Sequence, residues 1–125
     1  MSAADCQEWI TLAGHDVDTV KLLIEQKGHA DIIIYHIHQA TEKLLKALII
    51  KAGKKIEKTH HLDKLLSAAI NIYSDLSKIE DNILAINIYL PKLRYPMGDV
   101  ISFEEALDLN QKFSPVRELI DSLLS

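Results

Sequence analysis

Hydrophobic residues recur along this chain at spacings of three and four, and no stretch of useful length alternates as a β-strand would. The pattern therefore predicts an all-α protein whose helices are separated by glycine, proline and capping residues. The predicted helices are Ala3 to about Lys27, Ala30 to Lys51, His61 to about Tyr73, Ser77 to about Leu90, and Ser102 to the C-terminus. Gly28 and Gly53 are expected to end the first two helices, and residues 54–60 form a basic loop before the third.

Serine and proline residues suggest the limits of the last two helices. Ser77 and Ser102 are each followed three residues later by glutamate, a spacing typical of a capping box at a helix start. Pro91 is expected to kink or end the fourth helix, and a loop should follow over residues 94–101. Pro115 is expected to divide the fifth helix in two. The fourth helix has a single apolar stripe, formed by Ile79, Ile83, Ile86, Leu90 and Leu93.

The second helix is apolar over more than half of its circumference, so we expect more than one neighbour to bury it. Its apolar arc contains Ile33, Ile34, Ile37, Ala40, Leu44, Leu45, Ala47, Leu48 and Ile49. His38 lies within this arc, where a histidine is more often a satisfied core or interface residue than a metal ligand.

A polar stripe of His36, Gln39, Lys43 and Lys46 follows the opposite side of the second helix. These side chains could hydrogen-bond a phosphate or a base, but spacing alone favours an ordinary solvated face of charged residues.

Asp16 falls in the middle of the apolar face of the first helix. A buried carboxylate is costly unless it is paired or hydrogen-bonded, so we predict a partner. Candidate partners are Arg94, a lysine of the second helix, and a histidine. In the alternative, Asp16 faces a groove and stays hydrated.

Composition limits the classes of function. With 125 residues, the chain is long enough for one domain, 1–125, with its own core, and 48% hydrophobic and 26% charged residues are ordinary for a soluble protein. The net charge of −4 argues against a protein that coats nucleic acid, so any RNA ligand needs a local basic patch.

Location and metal content follow from a few residues. The single cysteine, Cys6, and the lack of a basic, apolar leader favour a cytoplasmic protein. The longest largely uncharged stretch, from Ala30 to Lys43, is broken by Asp31, His36, His38 and Gln39, and it is too polar and too short to span a membrane. The histidines lack partners at ligand spacing, so we expect no metal and no cofactor.

Four motifs, between residues 9 and 96, resemble those of the HEPN domain family. They are Trp9-Ile10 with Ala13 and Asp16-Val17; Tyr35 to Ala47; Lys58-Thr59-His60-His61-Leu62; and Tyr89-Leu90-Pro91 with Arg94-Tyr95-Pro96. The resemblance implies an up-and-down four-helix bundle with a short additional helix. It also implies a homodimer and a possible nucleotidyltransferase partner in a prokaryotic toxin–antitoxin pair.

One departure from the family pattern concerns catalysis. Active relatives are metal-independent ribonucleases with an arginine followed, after four to six residues, by a histidine. After Arg94 those positions hold Asp99, Val100 and Ile101, and no histidine follows Arg117. The resemblance therefore does not carry ribonuclease activity to this chain, and enzymatic function stays open.

Three hypotheses remain. The first is a non-catalytic module that binds a nucleotide, RNA or a nucleotidyltransferase, and its candidate binding residues are His36, Gln39, Lys43, Lys46, Lys58, Thr59, His60, Arg94 and Tyr95. The second is a ribonuclease with an atypical site, in which Arg94 stabilises phosphate charge and His60 or His36 moves the proton. The third is a purely structural interaction protein, in which Asp16, Glu42 and Lys43 form internal ion pairs.

Overall fold

The computed structural model describes residues 3–94 and 100–125, and within these ranges all regular structure is helical. The α-helices are α1 (Ala3–Glu25), α2 (Ala30–Lys51), α3 (Leu62–Ile70), α4 (Glu80–Asn87), α5 (Leu90–Arg94) and α6 (Phe103–Leu124), and a 3₁₀ helix (Ser74–Ile79) precedes α4. The predicted all-α class is confirmed. None of the described helices is both long and apolar enough to cross a bilayer.

The second helix is the centre of the bundle, because α1, α3, α4, α5 and α6 all pack against it. Its bounds are those predicted from the sequence, and its apolar arc is buried on several sides, as its width predicted. Ile33, Ile37 and Leu45 are fully buried there, and His38 is 1% exposed within the same arc. The polar stripe of α2 is thereby held between α1 and the loop that leads to α3.

The turns that end α1 and α2 differ from each other. Gly53 has φ 76°, a left-handed conformation that suits glycine, and its amide donates to the carbonyl of Ile50. After α1, the left-handed residue is Lys27, with φ 52°, and not Gly28. Gly28 lies close to Leu23, since a Cβ there would lie 2.8 Å from Leu23 Cδ2, at the end of a side chain that would have to shift.

The predicted capping box at Ser77 is wrong. Ser77 lies inside the 3₁₀ helix, and α4 begins at Glu80 after Ile79, with no side-chain cap. Leu76 and Ile79 are both buried. Because a 3₁₀ helix has three residues per turn, it places these two side chains on one face, against the core.

Proline has different effects at its two described positions. The fourth helix ends at Asn87, and Pro91 lies in the first turn of α5, where its missing N–H costs little. Pro115 lies inside α6, which continues through it, so a division of the helix there is wrong. The flanking Phe113 and Val116 are buried and hold both halves of α6 on the core.

The N-terminus of α6 confirms the second predicted capping box. Ser102 Oγ accepts a hydrogen bond from the Glu105 amide, and the Glu105 carboxylate accepts one from the Ser102 amide. Most of the predicted loop 94–101 lies outside the described residues.

Candidate functional site

Asp16 joins α1 to the polar stripe of α2. The Asp16 residue is 6% exposed, and its Oδ2 accepts a hydrogen bond of 2.6 Å from Lys43 Nζ. Its Oδ1 lies 2.8 Å from His36 Nδ1. The predicted partner is therefore found among the candidates named, as a lysine of α2 together with a histidine. We call Asp16, His36 and Lys43 the Asp16 network.

Glu42, the residue before Lys43 on α2, forms a second network. The residue is 4% exposed, its Oε2 accepts a 2.9 Å hydrogen bond from Lys46 Nζ, and its Oε1 lies 3.0 Å from His60 Nδ1. Lys46 Nζ also lies 5.3 Å from the ring centroid of Trp9, within the range of a cation–π contact. We call Glu42, Lys46 and His60 the Glu42 network.

The interpretation of the stripe as a solvated charged face is wrong at Lys46, which is only 6% exposed. Trp9 from α1 contacts the ammonium group on one side, and His60 from the loop contacts the shared carboxylate of Glu42. A helical wheel gives the direction of a side chain but not the aromatic ring or loop that covers it. The lysine is therefore a buried, paired cation instead of a hydrated one.

Both networks orient an imidazole ring. An ionised carboxylate only accepts hydrogen bonds, so Nδ1 of His36 and of His60 each acts as the donor. The His60 side chain is 53% exposed, whereas that of His36 is 26% exposed. A half-exposed imidazole held by a buried carboxylate is suited to hydrogen bonding or to proton transfer with a bound ligand.

The loop that carries His60 is held by hydrogen bonds on both sides. Thr59 Oγ accepts a bond of 3.1 Å from the His61 amide, and Asn87 Oδ1 of α4 accepts one of 2.9 Å from the Leu62 amide. Thr59 is among the site residues predicted from the sequence, but Asn87 is not, because no local pattern shows that α4 contacts the start of α3. The Lys58-Thr59-His60 segment is thus bonded to α2 through His60 and Glu42, and the start of α3, two residues after His60, is bonded to α4.

This combination of motifs and helices agrees with a comparison of the whole chain with known families. Residues 6–123 match the HEPN domain family. The chain belongs to the HEPN family. A comparison with curated proteins gave no match, and neither did one with solved structures.

The lysines of this HEPN domain divide into two groups. Lys43 and Lys46 pair with carboxylates, and Lys51 Nζ donates to the last carbonyls of α6, at 2.8 Å for Leu124. By contrast, seven lysines make no side-chain hydrogen bond or ion pair within residues 3–94 and 100–125: Lys21, Lys27, Lys54, Lys55, Lys58, Lys64 and Lys112. Four of these available cations, Lys54, Lys55, Lys58 and Lys64, lie on the loop and α3.

Other predicted site residues lie near these networks or outside the described part. Gln39 is partly exposed on α2 between His36 and Lys43, and the ring of Tyr35 stands edge-on to that of His36, with centroids 5.2 Å apart. Arg94 ends α5, which packs against α2, but its side chain lies outside the described residues, as does Tyr95.

Tyr89, the first residue of the fourth family motif, uses its hydroxyl in a contact within the fold. It donates a 2.9 Å hydrogen bond to Glu105 Oε2 in the capping box of α6. This bond, together with that from the Ser102 backbone, lowers the pKa of Glu105, while burial and then the same bond raise the pKa of Tyr89. The motif residue therefore joins the end of α4 to the start of α6.

The described residues contain no group of three or more histidine, cysteine, aspartate or glutamate side chains that could hold a metal ion. What the site offers chemically is two carboxylate-oriented imidazoles, ammonium groups on a fixed loop, and hydrogen-bonding groups along α2.

Proposed function

We propose that this HEPN domain is a nucleotide- and RNA-associated binding module that contacts phosphate through the loop between α2 and α3. The single observation that carries the proposal is the pairing of an available cation with an oriented imidazole. Lys58 is exposed and has no partner among the described residues, and two positions further on, Glu42 holds the half-exposed ring of His60. Charge-assisted bonds from such groups suit a phosphate oxygen.

The lysines of α2 and the residues of the loop have different roles in this proposed function. Lys43 and Lys46 already neutralise Asp16 and Glu42, so they support the two imidazoles instead of supplying free positive charge. Lys58 and His60 make the contacts to phosphate, and Arg94 and Tyr95 stay candidate binding residues from the family motif of residues 89–96.

We also propose that the module acts as a homodimer and pairs with a nucleotidyltransferase in a toxin–antitoxin system. The apolar arc of α2 and the apolar stripe of the fourth helix are largely buried within the chain, but Ile32 and Tyr35 remain 41% exposed one turn apart on α2. Light scattering at micromolar concentration tests the dimer. A monomer mass for the wild type contradicts it, and a dimer that Ile32→Ser/Tyr35→Ser dissociates supports it.

RNA binding is tested by fluorescence anisotropy with a labelled single-stranded RNA. Lys58→Ala should weaken binding several-fold and reduce the slope of log affinity against log salt by about 1, because one phosphate contact is lost. Lys78→Ala is the matched control, since Lys78 is an exposed lysine of the 3₁₀ helix, away from the loop. Equal losses for both variants, or no binding by the wild type, contradict the proposal.

A second candidate function is a metal-independent ribonuclease with an atypical site. The observation that favours it is the 3.0 Å contact between Glu42 Oε1 and His60 Nδ1, which orients an exposed imidazole as a general acid or base requires. RNA cleavage in EDTA should then be lost in both Arg94→Ala and His60→Asn. Activity that survives in either variant, or that is absent from the wild type, contradicts this candidate.

The structural hypothesis has its own support, because the carboxylates of both networks, Asp16 and Glu42, are buried and paired with lysines. It is favoured over the binding module if the wild type binds neither RNA nor nucleotide while variants of Asp16 and Glu42 unfold more easily.

A further inference from the structure

A groove runs between α1 and α6, which both pack against α2 but make almost no contact with each other. It consists of two open cavities, of about 260 Å³ and about 360 Å³, whose walls share Val17 and Arg117. The two cavities are therefore continuous. We call them together the α1–α6 groove.

The two helices run antiparallel along the α1–α6 groove. The smaller cavity lies between residues 17–25 of α1 and 110–117 of α6, and the larger one lies between residues 10–17 and 117–125. At a rise of about 1.5 Å per residue, the wall on α1 is about 22 Å long, or about four helical turns. The groove therefore has the length of an ordinary α-helix.

The floor of the groove is apolar. Val20 and Phe113 line the smaller cavity and Leu44 of α2 lines the larger one, and each of the three is 3% exposed. The apolar residues that α1 contributes follow one another at spacings of three and four: Ile10, Ala13, Val17, Val20 and Ile24. This spacing forms one continuous stripe, which is typical of a helix face that packs against other helices.

Gly14 lines the groove from the interior of α1. A glycine inside a helix destabilises it relative to alanine. The fold gives no steric reason for the glycine, because a Cβ at this position would have no atom of the neighbouring described residues within 4 Å. The space above Gly14 is therefore open, and another backbone can approach α1 most closely there.

The rims of the groove carry charges in a definite order. Arg117 lies in the middle, because it lines both cavities, and Lys21 lines the smaller one. Glu25, about one turn beyond Lys21, and Asp121, about one turn beyond Arg117, lie toward opposite ends, so the order is negative, positive, positive, negative. Lys21 has no partner among the described residues, and Arg117 Nε lies 3.6 Å from Asp121 Oδ2.

We propose that the α1–α6 groove docks one amphipathic helix of a partner protein. The apolar stripe of this helix packs on the floor of the groove and crosses α1 at Gly14. Acidic residues in its middle turns pair with Lys21 and Arg117, and basic residues at its ends pair with Glu25 and Asp121. The docked helix completes a four-helix arrangement with α1, α2 and α6.

This surface is separate from the sites of the proposed function. Neither cavity is lined by the loop between α2 and α3, where Lys58 and His60 lie. Neither is lined by Ile32 or Tyr35, whose replacement tests the homodimer. Binding of a helix, binding of RNA and dimerisation can therefore be measured and lost independently.

Fluorescence anisotropy with a labelled synthetic helix tests the groove. The peptide, of about 18 residues, carries leucines at spacings of three and four, glutamates in its middle turns and lysines at its ends. A matched peptide of the same composition has the lysines in the middle and the glutamates at the ends. The first peptide should bind the wild type at least about tenfold more tightly, because only its charges complement the rims. Equal affinity of the two peptides overturns the proposal.

Gly14→Leu places a large side chain where the helix should cross α1, and it should weaken binding of the first peptide by about tenfold or more. The variant should melt at or above the temperature of the wild type, because leucine favours the helix and its Cβ meets no neighbour. Ala68→Leu, which adds the same side chain at an exposed position of α3, is the matched control and should bind as the wild type does. Unchanged binding by folded Gly14→Leu overturns the proposal.

Two further arms test the charges and the occupant. Lys21→Glu/Arg117→Glu should remove the preference between the two peptides, whereas Lys78→Glu, at an exposed lysine of the 3₁₀ helix, should leave it unchanged. A preference that persists in the double variant overturns the assigned pairing. Light scattering tests a second copy as the occupant, since a wild-type dimer that Gly14→Leu dissociates overturns the assignment to a partner protein.

Discussion

Lys43 Nζ on α2 lies 2.6 Å from Asp16 Oδ2 on α1, and this bond joins two helices at a point where the face of α1 is otherwise apolar. The carboxylate is 6% exposed, so its charge has little water to stabilise it. Hydrogen bonds from Lys43 and His36 stabilise the charge in place of water. The α1–α2 interface thus contains a buried charge whose partners all come from one neighbouring helix.

Replacing the carboxylate should destabilise the fold. Asp16→Ala leaves Lys43 without its partner and should lower the free energy of unfolding by about 2 to 4 kcal/mol. The measurement is urea denaturation followed by circular dichroism. Asp18→Ala is the matched control, because Asp18 is an exposed aspartate of the same helix. Its replacement by alanine raises the helix propensity by the same amount. Equal stability of the two variants would show that Asp16 is not an energetic partner of Lys43.

Glu42 and Lys46 should be strongly coupled. Glu42→Leu leaves the buried ammonium of Lys46 uncompensated and should cost about 3 to 5 kcal/mol of unfolding free energy. The double variant Glu42→Leu/Lys46→Met removes both charges and should recover most of that loss, because apolar residues of similar size can replace a buried ion pair. A double-mutant cycle in urea measures the coupling, and losses that simply add contradict it.

The Tyr89–Glu105 bond should make stability depend on pH. The pKa of Glu105 is lowered in the folded chain, chiefly by this bond, so its contribution is present above the unfolded pKa and is lost as pH falls through the folded pKa. The stability difference between the wild type and Tyr89→Phe should therefore be larger at pH 7 than at pH 3. Tyr35→Phe, in which an exposed tyrosine loses the same hydroxyl, should show no such dependence. A difference that grows on acidification would contradict the assigned sign.

Pro115 should cost α6 stability. Proline lacks the N–H that would bond the carbonyl four residues earlier, and inside a helix it also crowds that carbonyl. Since Pro115 is exposed within a continuous α6, Pro115→Ala should raise the free energy of unfolding by about 1 to 2 kcal/mol, after allowance for the more flexible unfolded chain. Ser114→Ala, at the adjacent exposed position, should change thermal stability far less. A lower melting temperature for Pro115→Ala would indicate that the proline has a stabilising contact.

Much of the helical framework follows from local sequence. The bounds of α2 and the capping box at Ser102 could be predicted because hydrophobic period and capping chemistry act over a few residues. The partner of Asp16 could be predicted by class, since a carboxylate on an apolar face requires a cation or a donor. The left-handed Lys27 and the 3₁₀ turn at Ser77 could not, because tertiary packing decided them.

The site was harder to predict than the helices. The sequence pattern placed Lys43 and Lys46 on a solvated face, where they could bind a ligand. In the folded chain their ammonium groups are already paired with Asp16 and Glu42. The free lysines of the loop and α3 lack any periodic pattern that joins them. Lys55 and Lys64 come together only because the loop runs beside α3, and a single sequence does not reveal that proximity.

The central position of α2 also determines how the molecule should open. Every other α-helix packs against it, so its backbone amides can meet solvent only after those neighbours have separated. Amide hydrogen exchange in the middle of α2 should therefore proceed through global unfolding, while shorter elements such as α5 exchange by local fraying. Cleavage within α2 would accordingly remove the common support of the whole domain, and neither fragment should retain a cooperative transition of its own.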